Sequence, residues 1–107
     1  MKESVLIEFF GDYPFIRVID FLIERRGFDY SKTDIAKGAG IGLTTLHLIW
    51  NKIERIGLLK NTRTYGNTKL YMLNEENVLV QRIMKLELDL MKFYGKIESE
   101  QAELIKI

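Results

Sequence analysis

Asp34-Ile-Ala-Lys-Gly-Ala-Gly-Ile-Gly-Leu-Thr-Thr-Leu-His-Leu-Ile-Trp-Asn-Lys-Ile-Glu-Arg-Ile56 reads as a short helix, a tight turn and a longer helix. Ser31 or Thr33 starts the first helix, and Ile35 and Ala36 point inward. Gly38 lies where a good helix former is preferred, at a cost of about 1 kcal/mol. Gly40 allows a left-handed turn residue, and Gly42 stands where a Ser or Thr cap is usual. The second helix runs over about residues 43–56. Leu46, Trp50 (or Ile49) and Ile53 recur near the 3.6-residue helical period and form its core face. Leu43, Thr44, Thr45, His47, Leu48, Asn51 and Lys52 make the outward face.

Gly57 ends that helix, and a hairpin follows over about residues 58–73. Lys60, Thr62 and Thr64 alternate with Leu59, Asn61 and Arg63 as in a strand, and Gly66-Asn67 is a tight-turn pair. On the return strand Leu70 and Met72 fall on one face, Tyr71 and Leu73 on the other. Two helices at a tight turn form the motif with which many proteins read DNA. Motif plus hairpin is the order of a winged helix-turn-helix. The expected class is mainly α with a small β-hairpin (α+β), continued by a long C-terminal helix.

Upstream, residues 4–10 read as a short helix ended by Gly11. Asp12 is placed to cap the next helix, which carries Pro14 in its first turn. Phe15, Val18, Ile19 and Leu22 share one face, and Ile16 and Ile23 form a second stripe. Phe28-Asp29-Tyr30-Ser31 is too short for more than an edge strand. Downstream, Asn74-Glu75-Glu76 caps a last helix. Leu79, Ile83, Leu86, Leu90, Phe93, Ile97 and Leu104 then recur in alternate steps of four and three, with Glu100 the break. This heptad seam is longer than one small domain needs. It predicts homodimerisation through a coiled coil, with an intramolecular fold-back at Gly95 as the alternative. The expected organisation is a DNA-binding unit over 1–75 and a dimerisation helix over 76–107.

At 107 residues, 47% hydrophobic and 29% charged, the chain fits a single globular domain. With no cysteine and one histidine, disulfides, thiolate metal sites and most zinc layouts are excluded. No apolar run approaches a membrane span, and the N-terminal apolar stretch is too short for a secretory signal. A cytoplasmic protein, nucleoid-associated when bound to DNA, is expected. The net charge of +1 hides a gradient. Residues 31–73 carry seven basic and two acidic side chains, net +5, whereas the segments before and after are each −2. Positive charge thus collects on the segment that would face phosphate.

No nucleophile–base pair, phosphate-binding glycine loop or metal-ligand cluster is present, so neither an enzyme nor a cofactor is expected. Thr44 either contacts the duplex or caps the helix, and Thr45 and His47 are placed at base edges. Leu43 and Leu48 suit thymine methyls, and Asn51 suits adenine. Lys52 is set to meet phosphate, and Trp50 belongs to the core. Arg63, Tyr65, Asn67 and Lys69 cluster at the hairpin tip, where an Arg can enter a narrow minor groove.

Four stretches resemble archaeal winged-helix DNA-binding proteins, over about residues 5–85. They are Leu6-Ile-Glu-Phe-Phe-Gly-Asp-Tyr-Pro-Phe-Ile-Arg-Val-Ile-Asp-Phe-Leu-Ile-Glu24, Asp34-Ile-Ala-Lys-Gly-Ala-Gly-Ile41, Ile53-Glu-Arg-Ile-Gly-Leu-Leu59 and Thr62-Arg-Thr-Tyr-Gly-Asn-Thr-Lys-Leu-Tyr-Met-Leu-Asn74. The resemblance implies a sequence-specific binder of double-stranded DNA that acts as a dimeric transcription regulator. Two departures stand out. Gly42 and Leu43 occupy the start of the second helix, where the family commonly has Ser followed by Arg or Lys. Leu48 occupies a position that is often basic or polar. With no guanine-reading Arg on the helix front, A·T-rich, near-palindromic sites are expected. The alternative is a winged-helix module that binds protein within a transcription or replication assembly.

Overall fold

The computed structural model describes residues 4–106, and side chains as far as residue 103. The order is α1 (Val5–Phe10), α2 (Pro14–Glu24), α3 (Lys32–Ala39), α4 (Leu43–Arg55), β1 (Leu59–Tyr65), β2 (Thr68–Leu73) and α5 (Val78–Lys106). This is a winged helix-turn-helix with a long C-terminal helix. Each element follows from local chemistry. Ser4 caps α1 by accepting from the Ile7 amide. Ser31, not Thr33, caps α3 by accepting from the Asp34 amide at 3.1 Å. Pro14 sits at the start of α2, where its missing N–H leaves nothing unsatisfied. Asp12 does not cap that helix, and Tyr13 holds the cap position without a side-chain bond. Asp12 instead forms a two-armed ion pair with Arg17. Its Oδ2 accepts from the Arg17 Nη2 at 2.8 Å.

The turn between α3 and α4 depends on Gly40, which adopts the left-handed conformation anticipated from sequence. Gly38 has a different origin. It faces the Phe21 ring of α2, and a Cβ there would collide with that ring. The glycine therefore trades helix propensity for close approach of α2 and α3. Phe21 also packs on Tyr30, at 5.2 Å between ring centroids. We expect Gly38→Ala to destabilise the fold by about 1–3 kcal/mol despite the better helix former. Thermal melting of G38A against the parent checks this, and an unchanged or raised melting temperature would contradict it.

One core joins the helices of the described residues to the hairpin. Val18, Leu22, Ile35, Leu46, Ile53 and Leu73 are each at most 1% exposed. Trp50, not Ile49, is the buried member of the α4 face. It meets Tyr71 edge-on at 4.9 Å. Tyr71 and Leu73 point inward as the alternation of β2 predicts. Strict alternation fails in β1. Asn61 pairs with Tyr71 but Arg63 pairs with Leu70, so Thr62 is bulged out of register. The short 28–31 segment contributes a single antiparallel bridge, Tyr30 to Tyr71, with reciprocal N–H···O bonds of 2.8 Å.

The last helix begins at Val78, later than expected, because Asn77 supplies its cap. The Asn77 Oδ1 accepts from the Leu79 amide at 2.7 Å, whereas Asn74 caps only the preceding turn. The Asn77 Nδ2 also donates to the carbonyls of Ile56 and Gly57 at 2.7 and 2.9 Å, tying the end of α4 to the start of α5. α5 runs unbroken through Gly95, so the fold-back is not formed. At ~1.5 Å per residue it is about 43 Å long. That length accounts for the elongated envelope of 61 × 28 × 20 Å.

The heptad seam is divided. Leu90 is buried at 8% exposure, and Ile83 and Leu86 pack against the core of the same chain. Val80, which lies off the seam, is also core. Leu79, Phe93 and Ile97 remain exposed at 55%, 68% and 37%. Leu104 lies outside the described side chains. Across the α2–α5 junction, burial pushes the carboxyls of Asp20 and Glu87 above their ordinary range, and each is raised further by neighbouring acidic charge.

Candidate nucleic-acid interface

α4 is positioned from behind. Leu46, Trp50 and Ile53 anchor one face in the core, which turns Thr44, His47, Leu48 and Asn51 to solvent. Leu48 is 79% exposed, although it is a large apolar residue in the middle of a helix. Thr45 is half-buried, nearer the edge of this surface than its centre. Gly42 is the N-cap and contributes no side-chain bond. Thr44 therefore is not the cap, and the first-turn amides of α4 stay available to an acceptor such as phosphate.

The hairpin touches this helix where Tyr71 meets Trp50, and it presents Tyr65 (76% exposed), Asn67 and Lys69 at and near its tip. Ser31, Lys32 and Thr33 at the start of α3 face Asn67, Thr68 and Lys69 across a shallow groove of about 310 Å³. Nothing in the sequence singles out Lys32 and Thr33 as contact residues. Their place beside the wing depends on the Tyr30–Tyr71 bridge, which brings together residues far apart in the chain. Lys32 also lies over the Trp50 ring, with Nζ 4.5 Å from the centroid.

Several of the expected cations already have partners. The Arg63 Nε donates to the Asp29 carboxylate at 2.9 Å. The Arg63 Nη2 donates to the same carboxylate at 3.3 Å. The Thr62 hydroxyl adds a third bond to it, of 2.7 Å. The Arg63 bond, then that from Thr62, holds the Asp29 carboxyl below the ordinary aspartate range. Lys60 pairs with Glu76 at 3.0 Å. Lys52 is exposed but rests over the Phe15 ring at 4.0 Å. Two of the seven basic side chains in 31–73 are thus paired with acids from outside that segment. Among the described residues Lys69 has no ion-pair partner. Among those residues, too, no cluster of His, Asp and Glu could hold a metal ion, and no helix is long and apolar enough to cross a membrane.

No protein-family model matches the chain, and no curated protein matches it significantly. Solved structures do. The crystal structure of Sso10a-2, a DNA-binding protein from Sulfolobus solfataricus, superposes with a TM-score of 0.55 at 16% identity, covering 82% of this chain and 92% of that one. NadR in complex with 4-hydroxyphenylacetate gives 0.61 at 22% identity, covering 95% of this chain and 74% of that one. The AntR antimony-specific transcriptional repressor gives 0.56 at 20% identity, covering 75% and 68% respectively. At these identities the common property is the fold.

Proposed function

We propose that the chain is a non-enzymatic, sequence-specific binder of double-stranded DNA that acts as a dimeric transcription regulator. The observation that carries this reading is the outward face of α4. It is rigidly backed by the core, exposed over Thr44, His47, Leu48 and Asn51, and begins at a glycine cap that leaves amides for phosphate. In this reading α4 enters the major groove, and Tyr65, Asn67 and Lys69 of the wing meet the flanking backbone. The fold common to this chain, a solved DNA-binding protein and a solved transcriptional repressor supports it. Dimerisation is supported by the length of α5 and by Leu79, Phe93 and Ile97, apolar side chains that the chain itself leaves exposed.

Selection of bound duplexes from a random pool is the test. The expected result is an A·T-rich near-palindrome whose half-site centres lie about one helical turn, or a multiple of it, apart. Affinity should fall steeply with salt, by about 0.9 in the log–log slope per phosphate contacted. Absence of enrichment, or an asymmetric G·C-rich site, would contradict it. One observation favours a second reading. Leu48, fully displayed with no Arg on the helix front, also suits an apolar surface on a protein partner. Failure to bind any duplex at low salt would favour that reading.

A further inference from the structure

The wing's only arginine is not offered to solvent as a free cation. Arg63 follows the bulge at Thr62, and that bulge turns both side chains toward the same carboxylate. Asp29 receives three donors, two from the guanidinium and one from the hydroxyl. Its side chain is 17% exposed, while that of Arg63 is 64% exposed. The acid is therefore the fixed member of the pair. It is held because the next residue, Tyr30, is bonded to Tyr71 in both directions. The bidentate arrangement is the one by which a guanidinium would grip a phosphate. Asp29 thus occupies the donors that a duplex backbone would use.

We propose that Asp29 is an internal substitute for phosphate that keeps Arg63 off the duplex and so sets how strongly the wing holds DNA of any sequence. This rests on the DNA-binding reading above. A free Arg at this place would add a phosphate contact indifferent to sequence, which strengthens specific and non-specific binding alike. With Arg63 engaged, discrimination falls to the front of α4, and the wing keeps Lys69 as its unpaired cation among the described residues. The consequence is a binder of moderate grip that leaves wrong sites readily. Asp29 is a positioning residue here, since it acts through Arg63.

Fluorescence anisotropy with a labelled random-sequence duplex, over a series of potassium chloride concentrations, tests this. Asp29→Asn removes the charge but keeps an oxygen to accept from Thr62. It should tighten binding by roughly three- to tenfold at about 0.1 M salt and steepen the log–log salt slope by about 0.9. Adding Arg63→Gln to D29N should remove that gain, which a merely structural role for Asp29 would not produce. Binding by D29N that is unchanged or weaker than the parent's overturns the proposal, as does a gain that survives in the double variant. The parent is the control for the underlying reading. If it binds no duplex even at low salt, DNA binding itself fails, and this proposal with it. If it binds and D29N does not differ, this proposal alone fails. Asp89→Asn, which removes an exposed acidic charge on α5 away from the pair, should show no steeper slope, and a steeper slope there would also count against Asp29.

Discussion

Replacing His47 and Leu48 together by glutamate is expected to abolish duplex binding, by roughly a hundredfold or more, without unfolding the protein. Both side chains lie on the outer face of α4, and Leu48 is 79% exposed, so neither supports the core. Two carboxylates set against the floor and walls of a major groove lose base contacts worth about 1–3 kcal/mol each and add repulsion from phosphate. Glutamate is also a better helix former than histidine, so α4 should persist. Anisotropy titration with a selected duplex measures the loss, and thermal melting reports the fold. Retained affinity in the double variant would remove α4 from the groove and leave the protein-binding reading in its place.

The second large effect separates two residues that share one heptad seam. Leu90→Asp is expected to unfold the chain. Its side chain is 8% exposed and packs in the core. Truncation alone costs about 2–5 kcal/mol, and forcing a carboxylate into that position adds to it, against a total stability of about 5–15 kcal/mol for a domain. Phe93→Asp, three residues on and 68% exposed, should leave the winged helix folded and release the proposed dimer. The distal part of α5 then loses its cover, and an isolated helical arm of that length frays in water. Sedimentation at tens of micromolar gives the mass, and circular dichroism gives the helix content. A parent protein that sediments as a monomer would refute the dimer. A cooperatively folded L90D would refute the assignment of Leu90 to the core.

The distinction between those two seam positions is invisible in the periodicity. Steps of four and three say that Leu79 through Ile97 share a stripe, and they do. They do not say which chain covers the stripe. α1, only six residues long, takes the middle of it by packing against α5. The same holds at the wing. Counting charges places net +5 on residues 31–73, and the hairpin meets α4 through the Trp50–Tyr71 ring contact. Counting cannot pair Arg63 with Asp29, thirty-four positions away, or Lys60 with Glu76.

What the sequence determined by itself was local. Helical periodicity marked α2, α4 and α5 and put Leu46 and Ile53 on the buried face of α4, while the choice of Trp50 over Ile49 came from packing. Gly40 marked the left-handed turn because only glycine takes that conformation at little cost, and Gly66-Asn67 marked the hairpin. Such signals act over a few residues, where propensity and pattern suffice. Tertiary structure decided everything that requires two distant segments to meet. It made Gly38 a site of close packing against Phe21 and gave Asn77 the joint between α4 and α5. It brought Lys32 beside the wing and turned Asp29 from an acid in a loop into the partner that holds the wing's arginine. These outcomes depend on packing geometry and on which charges lie within a few ångströms of each other, and sequence spacing encodes neither.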